Sequence, residues 1–447
     1  MHRPIVFFLA SFFAGCLPLF AFPDEIPVVM DPGHGGAIVP RKDDKWDPVT
    51  RQYLDFYLSG MMYNQYTEQE IVLDLSKKVR KYLELTRSDD GWLEFEKILR
   101  LFSDQKDFER VRFKIDMARE DGWQNRGKPV TDPEVNAPYR MYDYPNPARD
   151  MRMEMGRVSY INSKQPYLVL ALHLNPAEGT NPGGMGAVLS PGYPTFDLLR
   201  RITLGQAPAD AFYKLPWADK WLISDPGFTQ FESAKGDAWV YFHGYRMLKN
   251  NTPWLGKNRG IRWNMITWKY SDPPGWEKLA AKAGPGPYAI KYAEWKPEGK
   301  FWDRERSPME LWRHEGGPLG YGGDNHYASD ELLRFVQMGV PIQVPERRAP
   351  GSMGEIVPPF VSTYGLPTFS NAIIAYLEIG HLNRDRDRTM VLQNSEELAR
   401  SLAAGIYSLF RGLSVKKTGK VRPKGAPLNF AKYENAPGGN YFRAVTE

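Results

Sequence analysis

Three short stretches of almost uninterrupted apolar residues predict buried β-strands. They lie at 28–30, 167–172 and 371–379, and valine, isoleucine and leucine account for most of their residues. Runs of this kind are typical of strands that are covered on both faces, as in a parallel sheet. The pattern therefore predicts a buried and mostly parallel sheet.

Apolar residues at helical spacing predict amphipathic helices between these strands. Thr67 is a good N-cap for the first helix, and Glu70 at the third helical position completes a capping box. Glu68, in the first turn, is then free to point elsewhere, although an acid there also favours the positive end of the helix dipole. The predicted helices cover 68–83, 92–102, 108–117, a segment ending at 162, 330–338 and 395–410.

Shorter patterns predict further strands. Thr86-Arg87-Ser88-Asp89-Asp90 is interpreted as the end of a strand beside the first one. Residues 186–190 and 239–242 are candidate strands within a stretch that is otherwise rich in glycine and proline.

Alternating strands and helices predict an α/β fold, with a mostly parallel central sheet, helices on both faces and a large loop-rich insertion. The insertion spans 177–365 and holds ten of the thirteen tryptophans, which either line a carbohydrate or peptide groove or build a small core of their own. The other predicted divisions are a first core part at 23–176 with an extra segment at 91–150, a last core part at 366–415 and a basic tail at 416–447. We expect the tail to be solvated, with contact to an anionic surface as the alternative.

The first 22 residues predict export. A short basic region is followed by an apolar stretch at 5–13, too short to span a bilayer as a mature helix, and cleavage could follow Ala21. Cys16, the only cysteine, ends Phe-Ala-Gly-Cys, which is similar to a bacterial lipobox and offers a lipid anchor as the alternative. In either case we expect a periplasmic or cell-envelope protein without an intramolecular disulfide.

Composition narrows the class of protein. A chain of 447 residues that is 42% apolar and 25% charged has the composition of an ordinary globular protein with a large core. Its net charge of +5 is small for this length. The charge argues against a dedicated nucleic-acid binder and suits contact with an anionic polymer.

Four residues at strand or helix ends indicate metal-assisted hydrolysis. His34 and His173 each follow a predicted strand, Glu68 begins a predicted helix, and Glu378 lies within a buried run, where an unpaired acid is costly. Two neutral imidazoles and one carboxylate form a three-ligand zinc site with the fourth position open for water. A second carboxylate beside that water can take up its proton and pass it to a leaving amine.

Five segments, in this order, resemble motifs of the zinc-dependent N-acetylmuramoyl-L-alanine amidases of the bacterial cell wall, the third amidase sequence family. The resemblance as a whole extends over about half of the predicted mature chain, all of it in the predicted core, and these motifs are the segments that carry it. The segments are 31–36 (Asp-Pro-Gly-His-Gly-Gly), 68–73 (Glu-Gln-Glu-Ile-Val-Leu), 86–90 (Thr-Arg-Ser-Asp-Asp), 157–175 and 377–383 (Leu-Glu-Ile-Gly-His-Leu-Asn).

This resemblance implies an activity and a set of functional residues. It implies Zn²⁺ bound by His34, Glu68 and His173, and Glu378 as the catalytic acid and base. The implied reaction is hydrolysis of the amide bond between N-acetylmuramic acid and L-alanine in peptidoglycan.

Substrate contacts are the least constrained part of the site. Arg87 and Arg157 could bind substrate carboxylates, although framework salt bridges explain both arginines more simply. Asn175, two residues after the second histidine, is a third candidate contact.

Two departures from the family pattern bear on function. His381 stands where phenylalanine is common, and we interpret it as a packing histidine, with a polar group near the site as the alternative. The insertion is much longer than in the family, some of whose members carry an inhibitory helix there that an activator protein releases. We therefore expect residues 177–365 to gate access to the site, by covering the groove, binding wall glycan or docking an activator.

Two other functions remain open at this point. One is a catalytically silent or partner-activated peptidoglycan-binding protein on the same fold. The other is a zinc peptidase that acts on other wall peptides.

Overall fold

The computed structural model describes much of the predicted core and parts of the segments between its elements. The described residues are 22–35, 46–47, 52–53, 60–120, 144–146, 152–154, 157–177, 179–189, 207–208, 211, 323–345, 354–357, 359–361, 366–367, 370, 372–418, 422–435, 440 and 442.

Twelve strands are described, and six of them form one central sheet. In chain order the strands are β1 (Ile26–Pro32), β2 (Trp46–Asp47), β3 (Gln52–Tyr53), β4 (Met62–Tyr63), β5 (Tyr66–Thr67), β6 (Phe113–Met117), β7 (Tyr144–Asn146), β8 (Arg152–Glu154), β9 (Leu168–Asn175), β10 (Gly186–Leu189), β11 (Phe360–Val361) and β12 (Ile373–His381). The spatial order in the sheet is β11-β10-β12-β9-β1-β6.

Most of the central sheet is parallel. β6, β1, β9 and β12 run in one direction, whereas β10 is antiparallel to β12 and β11 is parallel to β10. The strands β2 with β3, β4 with β5 and β7 with β8 form separate two-stranded hairpins. Since parallel strands end at the same edge, the residues that follow β1, β9 and β12 lie close together.

Helices flank the sheet. They are α1 (Glu68–Glu84), α2 (Asp89–Phe102), α3 (Arg157–Ser163), α4 (Gly323–Gln343), α5 (Asp385–Gln393), α6 (Ser395–Arg411) and the short α7 (Ala431–Glu434). α6 contacts both α1 and α4, which in turn contact β1 and β12. The predicted α/β fold with a mostly parallel sheet is confirmed.

The apolar runs form the buried strands that the sequence predicts. β9 lies between β1 and β12, and every residue from Leu168 to Leu174 is buried. All nine residues of β12 are buried as well. A strand covered on both faces has no solvent side, which explains why these segments show no alternation of apolar and polar residues.

Two predictions in the segment after α1 are wrong. Residues 108–117 do not form a helix, because Phe113–Met117 is β6, the edge strand beside β1. Residues 86–90 do not end a strand; Leu85–Arg87 is a turn of 3₁₀-helix, and Ser88 then caps α2. The Ser88 hydroxyl accepts a hydrogen bond from the Gly91 amide at 3.1 Å.

The first turn of α1 departs from a regular capping box. Thr67 is the N-cap, as predicted, but its side chain makes no capping hydrogen bond to the backbone. Its hydroxyl donates instead to the Glu70 carboxylate at 2.6 Å. Glu70 is therefore engaged locally on an exposed face, while Glu68 is buried.

Parts of the 177–365 segment belong to the same sheet and helix layer as the predicted core. β10 pairs with β12, and α4 packs on β12 and α6. The strand predicted at 186–190 and the helix predicted at 330–338 are both present, the helix extending from Gly323 to Gln343. The strand predicted at 239–242 lies outside the described residues.

The prediction of a solvated tail is wrong for the part of 416–447 that is described. Leu428, Phe430, Tyr433 and Phe442 are buried in the core. Phe430 stacks on Phe410 of α6, with ring centroids 4.6 Å apart and planes inclined by 4°. A short aromatic-bearing segment, rich in proline and glycine, thus closes the core beside α6.

Phe22 belongs to the same aromatic cluster. Its ring contacts Tyr167, Phe410 and Phe430 edge to face, with centroid distances of 5.4–5.8 Å. Cleavage after Ala21 would retain this residue. Within the described part of the chain, none of the helices combines the length and the apolar character needed to cross a bilayer.

Replacing Phe430 by alanine tests the contribution of the tail. Phe430 is 1% exposed, so the substitution leaves a cavity, and we expect the free energy of unfolding to fall by about 3–5 kcal/mol. Urea denaturation followed by circular dichroism measures the change. Leu93→Ala is the control, because Leu93 is 57% exposed and its loss costs little. Equal midpoints for the two variants would show that the tail does not stabilise the core.

Candidate metal centre

His34 lies just beyond β1, in a turn that brings it close to β9. The Gly33 amide donates to the Leu172 carbonyl at 2.9 Å, so the chain still follows β9 at this point. His34 then adopts φ 59°, a left-handed conformation that redirects the chain. A Cβ on Gly33 would lie 2.3 Å from Cε1 of His173. Only glycine therefore lets the backbone pass this close to the second histidine.

Glu68 lies between the two histidines. Its Oε1 is 3.2 Å from Nε2 of His34 and 3.2 Å from Nδ1 of His173. The same oxygen accepts the Leu174 amide at 2.9 Å, and Oε2 accepts the Met61 amide at 2.7 Å. The helix start thus presents a carboxylate in a fixed orientation.

The structure brings together three of the residues that the sequence singles out. One ligand atom from each of His34, Glu68 and His173 lies within 4.8 Å of the others. Two imidazoles and a carboxylate form a donor set that suits zinc. The Glu68 and His173 side chains are 3% and 7% exposed, whereas His34 is 21% exposed. The residues fit a metal ion that is approached from the His34 side.

His173 is held by packing as well as by Glu68. It is near the end of β9, directly opposite Glu378 of β12 in the sheet register. The Tyr376 ring stacks on the imidazole at a centroid distance of 4.3 Å and an angle of 10°. Stacking on one side and the Glu68 carboxylate at Nδ1 together restrict the orientation of the imidazole.

The electrostatics of the cluster favour an ionised Glu68 carboxylate and a neutral His173 imidazole. Burial raises the pKa of Glu68, but the charge of His34 and hydrogen bonds with both histidines outweigh it and hold that pKa well below its ordinary value. Burial lowers the pKa of His173, an effect that the Glu68 hydrogen bond only partly opposes. An ionised carboxylate and a neutral imidazole are the forms in which these side chains act as ligands.

Glu378 has a different environment from Glu68. It is 8% exposed, and its Oε2 atom has no hydrogen-bond partner among the described residues. Burial, and to a smaller extent the nearby Glu68 charge, raises the pKa of Glu378 well above its ordinary value. A buried carboxyl group with a raised pKa, and with one oxygen that no described residue engages, is suited to exchanging protons with a bound substrate.

The end of β12 is fixed by Asp387 of α5. The register between β12 and β9 shifts after Glu378, and the strand ends at His381. Asp387 Oδ2 accepts the His381 amide at 3.0 Å and the Gly184 amide at 2.9 Å. The His381 ring lies 3.3 Å from the same oxygen and 3.2 Å from the Gly184 carbonyl. Of the two roles left open for His381, its contacts favour packing at the β12–β10 junction.

The three predicted substrate contacts lie in different places. Arg87 pairs with Glu25 at 2.8 Å, at the edge of the sheet where β1 and β6 begin, and so lies away from the cluster. Arg157 is buried, 3.3 Å from the Asp31 carboxylate, and donates to the His34 carbonyl at 2.5 Å. The Asn175 carbonyl accepts the Leu382 amide at 3.0 Å. For both arginines the contacts favour the framework role over a substrate contact.

Sequence reasoning missed Arg119. This residue follows β6, the edge strand that pairs with β1 on the side opposite β9, and it is 2% exposed. It donates hydrogen bonds to backbone carbonyls of the His34 turn and of the first turn of α1. An arginine two residues after a predicted strand would mark this position as a candidate, but the sequence predicts a helix over 108–117, so no strand is expected before Arg119.

Comparison with solved structures finds remote similarity to N-acetylmuramoyl-L-alanine amidases. N-acetylmuramoyl-L-alanine amidase from Clostridium difficile 630 is 11% identical with a TM-score of 0.31, the match covering 86% of this chain and 97% of that one. Ami1 from Mycobacterium smegmatis, an amidase of the same name, is 12% identical with a TM-score of 0.30, covering 85% and 94%. The catalytic domain of CwlV, the amidase from Bacillus (Paenibacillus) polymyxa var. colistinus, is 9% identical with a TM-score of 0.28, covering 85% and 96%.

No family model and no curated protein sequence matches this chain. At TM-scores near 0.3 the structural similarity carries no argument about activity. The activity is therefore inferred from the geometry of the His34, Glu68, His173 and Glu378 side chains.

Asp387→Asn tests how the end of β12 is held. Burial raises the pKa of Asp387, but hydrogen bonds from His381 and Gly184 outweigh it, so the folded-state pKa is below the ordinary value. A lowered folded-state pKa adds stability that is present above the unfolded pKa and lost as the pH falls through the folded one. We expect the variant to lose about 1–3 kcal/mol of unfolding free energy at pH 7. The difference should shrink below about pH 4.

Urea denaturation at a series of pH values measures this difference. Asp385→Asn is the control, because the Asp385 side chain lies on the same helix and is 89% exposed. A deficit for Asp387→Asn that stays constant down to pH 2 would contradict an ionised Asp387 as the source of the stability.

Proposed function

We propose that this protein is a zinc-dependent N-acetylmuramoyl-L-alanine amidase that cleaves the bond between N-acetylmuramic acid and L-alanine in peptidoglycan. The observation that carries the proposal is the convergence of His34, Glu68 and His173 within 4.8 Å, with buried Glu378 opposite His173. Two imidazoles with one carboxylate, next to a second carboxylate with one oxygen that has no hydrogen-bond partner among the described residues, form the arrangement that metal-assisted amide hydrolysis requires.

His34, Glu68 and His173 would hold the zinc ion through two ring nitrogens and a carboxylate oxygen. When bound there, zinc supplies a Lewis acid for the amide carbonyl and lowers the pKa of water. The contribution of the protein is to keep Glu68 ionised and His173 neutral, and to leave the His34 side accessible. The Leu174 and Met61 amides orient the Glu68 carboxylate by hydrogen bonding to its two oxygens.

Glu378 supplies the proton transfers. Its carboxylate takes a proton from the attacking water as the new carbon–oxygen bond forms at the amide carbon. It then gives that proton to the nitrogen of L-alanine as the carbon–nitrogen bond breaks, which releases an amine and leaves a carboxylic acid on the lactyl group. Burial raises the pKa of Glu378, which makes it a stronger base than an exposed glutamate.

The substrate and the compartment are inferred from the sequence. The five segments that resemble amidase motifs support peptidoglycan as the substrate, and this polymer lies outside the cytoplasmic membrane. Export through residues 1–22, either with cleavage or with a lipid anchor at Cys16, agrees with this location. An activator protein acting on residues 177–365 would regulate access to the site.

Zinc dependence is tested with the purified full chain and isolated peptidoglycan. We expect elemental analysis to find close to one zinc per chain, and a chelator to abolish release of stem peptides, because the metal supplies the Lewis acid. Adding zinc back should restore release. Mass spectrometry of the products should show free L-alanine amino termini and glycan without peptides.

Three results would contradict this proposal. Cleavage within the stem peptide would indicate a zinc peptidase. Binding to peptidoglycan without cleavage, with or without zinc, would indicate a silent binding protein. Cleavage that persists after complete metal removal would exclude metal-assisted hydrolysis.

Glu378→Gln tests the proton transfers separately from metal binding. The amide keeps the size of the side chain but cannot take up the proton, so we expect turnover to fall by roughly 10²–10⁴-fold while zinc content is unchanged. Glu94→Gln is the matched control, since Glu94 is an exposed helical glutamate whose surface ion pair contributes little. Turnover that equals the parent rate would remove Glu378 from the mechanism.

A further inference from the structure

Arg119 connects the backbones of two ligand-bearing segments. Its Nε donates to the Pro32 carbonyl at 3.0 Å, and one terminal nitrogen donates to the Gly33 carbonyl at 3.0 Å and to the Gln69 carbonyl at 2.5 Å. Pro32 and Gly33 immediately precede His34, and Gln69 immediately follows Glu68. A single guanidinium group, 2% exposed, therefore contacts the chain beside two of the three proposed zinc ligands.

Hydrogen bonds of the sheet hold the segment that carries His34 only as far as the Gly33 amide, immediately before the chain turns at His34. β1 ends at Pro32, and the Gly33 amide still bonds to the Leu172 carbonyl of β9. Beyond that bond, the carbonyls of Gly33 and His34 accept from arginine side chains, Arg119 for Gly33 and Arg157 for His34. The conformation of the turn that presents His34 thus depends on side chains from other elements.

Arg119 and Arg157 both contact the segment that carries His34. The contacts of Arg157 described above are to the His34 carbonyl and the Asp31 carboxylate, both on the β1 side of the site. Arg119 contacts that side and also the first turn of α1, through the Gln69 carbonyl. Arg119 is therefore placed to fix the spacing between His34 and Glu68.

We infer that Arg119 is a positioning residue that sets the distance between the His34 turn and the Glu68 helix start, so that both side chains can ligate one ion. The inference rests on the proposed zinc site. A planar guanidinium group with several fixed donors suits this task, because its N–H groups reach separate carbonyls in one plane. Lysine carries the same charge on a compact ammonium group and cannot reproduce that geometry.

The test compares metal binding by the parent, Arg119→Lys, Arg119→Met and Arg100→Lys in the full chain. Arg100 is the matched control, since its guanidinium group donates to the carbonyls of Gln105 and Lys106 at the end of α2, away from the site. Zinc affinity is measured by competition with a chelator. Cobalt(II) absorption reports the coordination geometry, and urea denaturation of the metal-free proteins measures the stability of the fold.

We expect Arg119→Lys to bind zinc about 10-fold to 100-fold more weakly than the parent, the range typical of groups that orient metal ligands. Arg119→Met, which removes every donor, should bind more weakly still. The cobalt(II) spectrum should change in both Arg119 variants, and Arg100→Lys should match the parent in affinity and spectrum.

The outcomes separate this inference from the proposed function. A parent protein that binds neither zinc nor cobalt(II) would overturn the metal centre, and this inference with it. A parent that binds both metals, with an Arg119→Lys variant of equal affinity and spectrum, would overturn the inference alone. Failure of Arg119→Lys to fold without metal would also overturn it, because the residue would then serve the fold as a whole.

Discussion

The parallel pairing of β1, β9 and β12 is the constraint on which the site depends. Parallel strands deliver the residues that follow them to one edge of the sheet, so positions far apart in sequence become neighbours. The register places Pro32 beside Leu172, and Glu378 beside His173. His34 follows β1 directly, and His173 and Glu378 lie in β9 and β12, whereas Glu68 comes from the start of the helix that follows β5. The chemistry of the site therefore follows from strand register and from one helix terminus.

Two buried glutamates in one small region are given opposite properties by their neighbours. Glu68 faces two imidazoles and two backbone amides, which stabilise its charge. Glu378 lies against apolar strands with one oxygen lacking a described partner, and the charge of Glu68 further disfavours its ionisation. Environments that shift the pKa of two acids in opposite directions allow one to act as a ligand and the other as a proton carrier.

The sequence predicts the buried part of this fold better than its edges. β9 and β12 are covered on both faces, so their apolar runs are unambiguous. β6 is an edge strand whose middle residues are partly exposed, and its mixed pattern therefore suggests a helix instead. The sequence at 86–90 suggests the end of a strand that pairs with β1. In the structure those residues form a 3₁₀ turn and the start of α2, and the strand that pairs with β1 is β6, which ends two residues before Arg119. Local patterns cannot show which strand pairs with β1, because that pairing depends on contacts between distant segments.

The three proposed ligands also belong to segments that are separate in the chain. Glu68 and His173 are 105 positions apart, and β6, α2 and α3 lie between them. An ion bound by these side chains would link the two ends of this long loop of chain in the folded state, and it would stabilise that state because the unfolded chain offers no preformed site. A bound metal would then contribute to the resistance of the protein to unfolding, and metal depletion would lower that resistance.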